Sequence, residues 1–261
     1  MRKSVLMAGA LLALTATAAA ADGTEIAWTA CRGSVAPVAA ITRTLACTAT
    51  TTTSGSSVFP SFVVSGTTAL LAANVIVDYQ VADIAMPCWW DFGTSASPNL
   101  RFPALIIDDV APGVDATDPD NVFEIGCGGS SGFYFNGKSG GAGGGINPDL
   151  SGNRRRIKAA AFLPGVTGAD ASGNGIQQHT VRIRITNQFT GGGCLGCLTP
   201  ACLIVNEILL EQVLPAPDVS LVSPVSAGSN IISWQGGVGT DCPGATPTRN
   251  ATWGSVKALY R

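Results

Sequence analysis

Charge is scarce in this chain. Asp, Glu, Lys and Arg make up 12% of its 261 residues, about half the usual share for a soluble domain. Exposed helix faces are normally rich in Glu, Lys and Arg, so this scarcity speaks against a helical bundle. Histidine is scarcer still, with His179 alone. A single imidazole weakens most metalloenzyme readings and leaves one candidate for a histidine general base. There is no cationic surplus, since 15 Lys and Arg face 17 Asp and Glu. That leaves no electrostatic footprint for nucleic acid or for an anionic membrane. After residue 21 no apolar run approaches the length of a spanning helix, so stable membrane insertion is not expected.

The start of the chain has a different texture. Arg2 and Lys3 precede the apolar run Val5–Leu14, and Ala19-Ala20-Ala21 before Asp22 fits a small-residue cleavage site. Residues 1–21 therefore predict a cleaved secretory signal peptide. The leader's two cations leave with it, so the mature chain has 13 Lys and Arg against 17 acids and a formal charge of −4. The expected location is extracellular, in the periplasm, on the cell surface or free. In such a compartment all eight cysteines, Cys31, Cys47, Cys88, Cys127, Cys194, Cys197, Cys202 and Cys242, read as disulfide-forming.

Two-residue alternation dominates the mature chain. In His179–Asn187, Val181, Ile183 and Ile185 share one face, while Thr180, Arg182, Arg184 and Thr186 share the other. Period two with β-branched residues is a half-buried strand. Asn74–Val81 and Ile204–Glu211 repeat the pattern, and Ser57–Ser65, Phe102–Ile107, Val122–Cys127 and Arg156–Leu163 are further candidates. Pro60 lacks a donor and predicts an edge position for its strand. Gly140–Gly145 reads as a flexible loop, and Arg154–Arg156 with Lys158 as a solvated strand end. Strands separated by turn-rich stretches, without helical periodicity between them, predict an all-β fold: an antiparallel β-sandwich or jelly roll, stapled by disulfides. The expected organisation is a β-sandwich over 22–214, a linker-like extension over 215–248 and a tail over 249–261. Ile231–Trp234 is a candidate strand within the extension. In the tail, Thr252 could cap a short C-terminal helix placing Trp253, Val256 and Tyr260 on one face.

Eight cysteines allow 105 pairings. Proximity suggests Cys31 with Cys47, and Cys88 with Cys127 across adjacent strands. Cys194-x-x-Cys197 has the bite of a zinc site, but export favours disulfides.

Several motifs resemble catalytic ones. Gly132–Ser139 spells a phosphate loop, yet Gly140–Gly145 behind it cannot supply the helix that such a loop needs. Gly128-Gly-Ser130-Ser-Gly132 spells a nucleophile elbow, and Asp149 or Asp170, then His179, complete the order of a serine hydrolase. That elbow also requires a following helix, which is missing. A glycosidase carboxylate pair would leave no spacing signature. The loop with Asp115, Asp118 and Asp120 offers oxygens suited to calcium, without the EF-hand framework; no other cofactor is implied. Trp89-Trp90 offers a stacking surface for carbohydrate or a partner protein, against the alternative of a core pair packed on a disulfide. Asn250-Ala-Thr252 is a glycosylation sequon.

The C-terminal Cys242-Pro stretch and the closing Trp253-Gly-x-x-Lys-x-Leu-Tyr-Arg261 resemble the tail of a group of secreted bacterial proteins. The Cys194-x-x-Cys-x4-Cys202 cluster running into Ile204–Ile208 is similar to theirs as well. The resemblance covers about a quarter of the chain. It implies an exported bacterial protein and supplies no activity or site. The combined expectation is a secreted, non-catalytic β-sandwich with a structural, carbohydrate-binding or protein-binding role. The alternative is a secreted hydrolase, either a glycosidase or a serine esterase using Ser130, Asp170 and His179.

Overall fold

A computed structural model describes residues 22–28, 41–48, 55–65, 70–93, 101, 104–108, 141–147, 150, 152–162, 177–188 and 193–237. Among the described residues the elements are twelve strands and a 3₁₀ turn at Cys88–Trp90. They are β1 (Gly23–Ala27), β2 (Thr42–Arg43), β3 (Gly55–Val63), β4 (Leu70–Val81), β5 (Leu105–Asp108), β6 (Gly141–Asn147), β7 (Arg154–Phe162), β8 (Gln177–His179), β9 (Arg182–Thr186), β10 (Ala201–Gln212), β11 (Val219–Leu221) and β12 (Ile231–Trp234). Five form one sheet in the order β1-β3-β9-β5, with β8 also on β3. Seven form the other, β2-β12-β10-β4-β7-β6, with β11 on β10. Every pairing between these strands is antiparallel except β12 with β2. The fold is all-β, as the alternation predicts. Residues 249–261, where the short helix is expected, lie outside the described residues, as does Val122–Cys127.

Alternation explains how the sheets face each other. Val75, Val77 and Tyr79 of β4 point inward with Leu203, Val205, Ile208 and Leu210 of β10 and Ile157 of β7. Ile26, Val58, Phe62, Ile183 and Ile185 meet them from the five-stranded sheet. β-Branched and aromatic side chains suit such a pleated, buried surface. A register shift between Val205 and Glu207 resets the alternation within β10. Every residue of β1 and β3 is buried, so the smaller sheet is covered on both faces at these two strands. On the larger sheet, Asp78 of β4 and Arg156 of β7 are register partners. The guanidinium holds the carboxylate through Nε at 2.7 Å and Nη2 at 2.9 Å. Arg182 and Asp108 repeat this two-pronged pairing across β9 and β5, at 2.8 and 2.7 Å.

Two local expectations are corrected. β3 is not an edge strand, because β1 lies on one side and β8 and β9 on the other. Pro60 is tolerated because its missing donor falls opposite the break between β8 and β9. Its carbonyl there accepts from both the N–H and the hydroxyl of Thr180, at 3.1 Å each. Gly141–Asn147 is a strand rather than a loop. It pairs with β7 over its whole length, because bare backbone can lie where side chains cannot. A Cβ on Gly144 would run into the Lys158 carbonyl oxygen, 2.7 Å from Ala159 Cα and 3.0 Å from Ile107 Cδ1. Residues 219–221 and 231–234, in the stretch that reads as an extension, are β11 and β12, paired to β10.

Candidate functional site

One end of the larger sheet carries two loops, 82–91 and 193–200, that its longest strands dictate. β4 and β10 run antiparallel with Val81 opposite Ala201, so the chain leaving β4 meets the chain entering β10. Ala82 N–H donates to the Pro200 carbonyl at 2.9 Å, and Trp89 N–H to the Leu195 carbonyl at 2.9 Å. Thr199 Oγ1 donates to Asp83 Oδ2 at 3.0 Å. Pro87 starts the 3₁₀ turn in extended geometry, and Gly196 at φ +116° brings the second loop against it. Any Cβ on Gly196 would come within 2.6 Å of the Pro87 ring, so this crossing needs glycine.

Sulfur locks the arrangement. Cys88 is bonded to Cys194, and Cys47 to Cys197. The expected pairings Cys31–Cys47 and Cys88–Cys127 are therefore corrected, while Cys194 and Cys197 are disulfide-bonded as export favours, not zinc ligands. Sequence neighbours lose here to spatial ones. The two ends of one four-residue turn, Cys194 and Cys197, face different loops and staple each separately. Cys202 is disulfide-bonded as well. Cys31, Cys127 and Cys242 lie outside the described residues.

Beneath the loops is an aromatic floor. Trp89 stacks on Trp234 at 5.1 Å, and Trp90 meets both edge-on at 5.0 and 5.7 Å. Trp234 Nε1 donates to the Cys197 carbonyl at 2.7 Å, and the Tyr79 hydroxyl to the Trp90 carbonyl at 2.8 Å. Arg101 is fully buried and stands over Trp89 at 4.5 Å. It donates to the carbonyls of Trp89 (3.0 Å), Thr186 (2.9 Å) and Gln188. Burial lowers its pKa to about 9, still charged at neutral pH, so the guanidinium ties the 3₁₀ turn to the end of β9. Trp89 and Trp90 are thus core residues with 0% exposure. Of the two readings of this pair, the core one holds and the stacking surface for a ligand does not, because both rings are used inside the fold.

Above that floor three large aliphatic side chains stand in water. Ile84 is 97% exposed, Leu195 85% and Leu198 66%. Leu214, in the β10–β11 connection, and Val222, just after β11, are also exposed and lie on other segments. Asp83, next to Ile84, accepts from Thr199, next to Leu198, so the three exposed side chains stand on adjoining, cross-linked loops. Sequence reading missed them, although Cys194-Leu-Gly-Cys-Leu198 places both leucines in a cysteine-bounded turn too short to bury them.

His179 sits in β8 opposite Ser61 of β3 and edge-on to Phe59, with ring centroids 6.0 Å apart. Ser61 Oγ accepts from Gln177 Nε2 at 2.6 Å. Burial lowers the His179 pKa to about 4, so the imidazole is neutral in the folded sheet. Ser130, Asp149 and Asp170, its candidate partners, lie outside the described residues, as do Asp115, Asp118 and Asp120. Among the described residues no three His, Cys, Asp or Glu side chains group as metal ligands. The phosphate-loop motif 132–139 also lies outside them, and the strand β6 stands where its helix would have to begin.

Fold and site together define a disulfide-stapled, all-β protein of two sheets, with exposed aliphatic side chains on its cross-linked loops. Comparison with protein-family models, with curated proteins and with solved structures found no match to the chain.

Proposed function

We propose that this protein is secreted, is not an enzyme, and binds another extracellular protein through its loop end. The observation that carries the reading is the exposure of Ile84, Leu195 and Leu198 on loops held by two disulfides. Covering such a side chain is worth about 1.5–3 kcal/mol, and a loop already fixed loses little further entropy on binding. Charge favours a protein over a bilayer as the occupant. Residues 82–93 and 193–200 contain two charged groups, Asp83 and Asp91, and no Lys or Arg. The two loops themselves therefore offer an anionic membrane no cation, whereas the apolar centre of a protein interface needs none. Carbohydrate binding loses its support with the burial of Trp89 and Trp90.

A photo-crosslinking residue at position 198 tests the reading on intact cells that secrete the protein. A discrete protein adduct is expected at Leu198 and not at Leu214. Its yield should fall at least tenfold in the Ile84→Ser, Leu195→Ser background, with folding stability unchanged within about 0.5 kcal/mol. Equal adducts at both positions would contradict the proposal. So would flotation with phosphatidylcholine vesicles that the same substitutions abolish.

A further inference from the structure

The two loop staples share one turn, and that sharing has a chemical consequence. Cys88 is exposed, whereas its partner Cys194 is 3% exposed and Cys197 4%. The Cys88 side is therefore the more open approach to the first disulfide for an incoming thiolate. Attack there leaves Cys194 as the departing thiolate, buried three residues from Cys197. The Cys-x-x-Cys spacing is one that closes into a disulfide in redox proteins. Cys47, which holds the other end of the Cys197 bond, sits at φ +57°. That left-handed conformation is unfavourable for a residue with a Cβ, so its release relaxes the backbone.

We infer that the two staples form a disulfide relay opened by a small extracellular thiol. In the first step the thiolate RS⁻ attacks Cys88 Sγ, forming Cys88–S–S–R and expelling the Cys194 thiolate. In the second step that thiolate attacks Cys197 Sγ, forming Cys194–Cys197 and expelling the Cys47 thiolate. The proton lost by the incoming thiol is taken up by Cys47, and the two disulfides remain two, one of them now the mixed disulfide at Cys88. One thiol thus undoes both staples. The 193–200 loop, with Leu195 and Leu198, is then no longer tethered by sulfur to either neighbour. The inference rests on the pairing, burial and spacing of the cysteines and stands whether or not the loop end binds a protein.

Native protein treated with reduced glutathione, quenched in acid, alkylated and mapped by non-reducing peptide mass spectrometry tests the relay. The expected product has an intrapeptide Cys194–Cys197 bond, glutathione on Cys88 and alkylated Cys47. Alkylation of Cys194 with Cys47–Cys197 intact overturns the inference, as does opening of Cys47–Cys197 before Cys88–Cys194, or no reaction at either staple. The Cys88→Ser variant reads the second step alone. It should carry Cys194–Cys197 and a free Cys47; a retained Cys47–Cys197 bond with free Cys194 overturns the relay.

Discussion

His179 shows how burial becomes a solution property. Its ordinary pKa of about 6.5 falls to about 4 because the sheet disfavours imidazolium. Between these values the unfolded chain binds a proton that the folded protein refuses. Stability is therefore fully present above pH ~6.5 and is lost as pH falls towards 4, by about 3 kcal/mol. Urea unfolding at pH 7 and pH 4 checks this. The loss should be smaller by that order in His179→Gln, and an identical loss in the variant would contradict it. Little of this environment was legible in the sequence. Alternation placed His179 at a strand start, but its neighbours Phe59 and Ser61 come from β3, more than a hundred residues away. For Trp89 and Trp90 composition left core and surface open, and only the meeting with Trp234 and Arg101 decides for core.

Elements were legible where one face is buried and the other wet. β4, β7 and β10 alternate visibly because Val75, Ile157 and Leu203 need the core while Asn74, Lys158 and Ile204 do not. β6 was invisible for the opposite reason. A strand of glycines has no side chains from which a period can be read, and its pairing follows from what the neighbours leave room for. Gly144→Val tests that account. A side chain there strikes the β7 backbone, so the substitution should destabilise by about 3 kcal/mol, the upper range for overpacking. Gly145→Ala, whose Cβ meets nothing within 4 Å, should change stability by less than about 0.5 kcal/mol. Thermal unfolding of the two variants side by side separates them, and equal effects would contradict the pairing of β6 with β7. The loops were the least legible elements. Connectivity of eight cysteines depends on which strand ends meet, and the exposure of Leu195 and Leu198 follows from that meeting.

At the scale of the whole molecule, few charges, abundant glycine and paired cysteines point the same way. A sandwich with scant surface charge keeps its loops in place by covalent bonds, and those bonds hold Ile84, Leu195 and Leu198 outward over a tryptophan floor. Each staple closes a long stretch of chain, 150 residues for Cys47–Cys197 and 106 for Cys88–Cys194. Bonds of that span typically stabilise by about 2–5 kcal/mol. Export, pairing and the loop end form one claim, because only an oxidising compartment gives this cysteine pattern its meaning. The most direct measurement is the covalent map of the native protein by intact and non-reducing peptide mass spectrometry. The account predicts an N-terminus at Asp22, Cys47 joined to Cys197 and Cys88 joined to Cys194. A chain still beginning at Met1 with these cysteines as free thiols would contradict it.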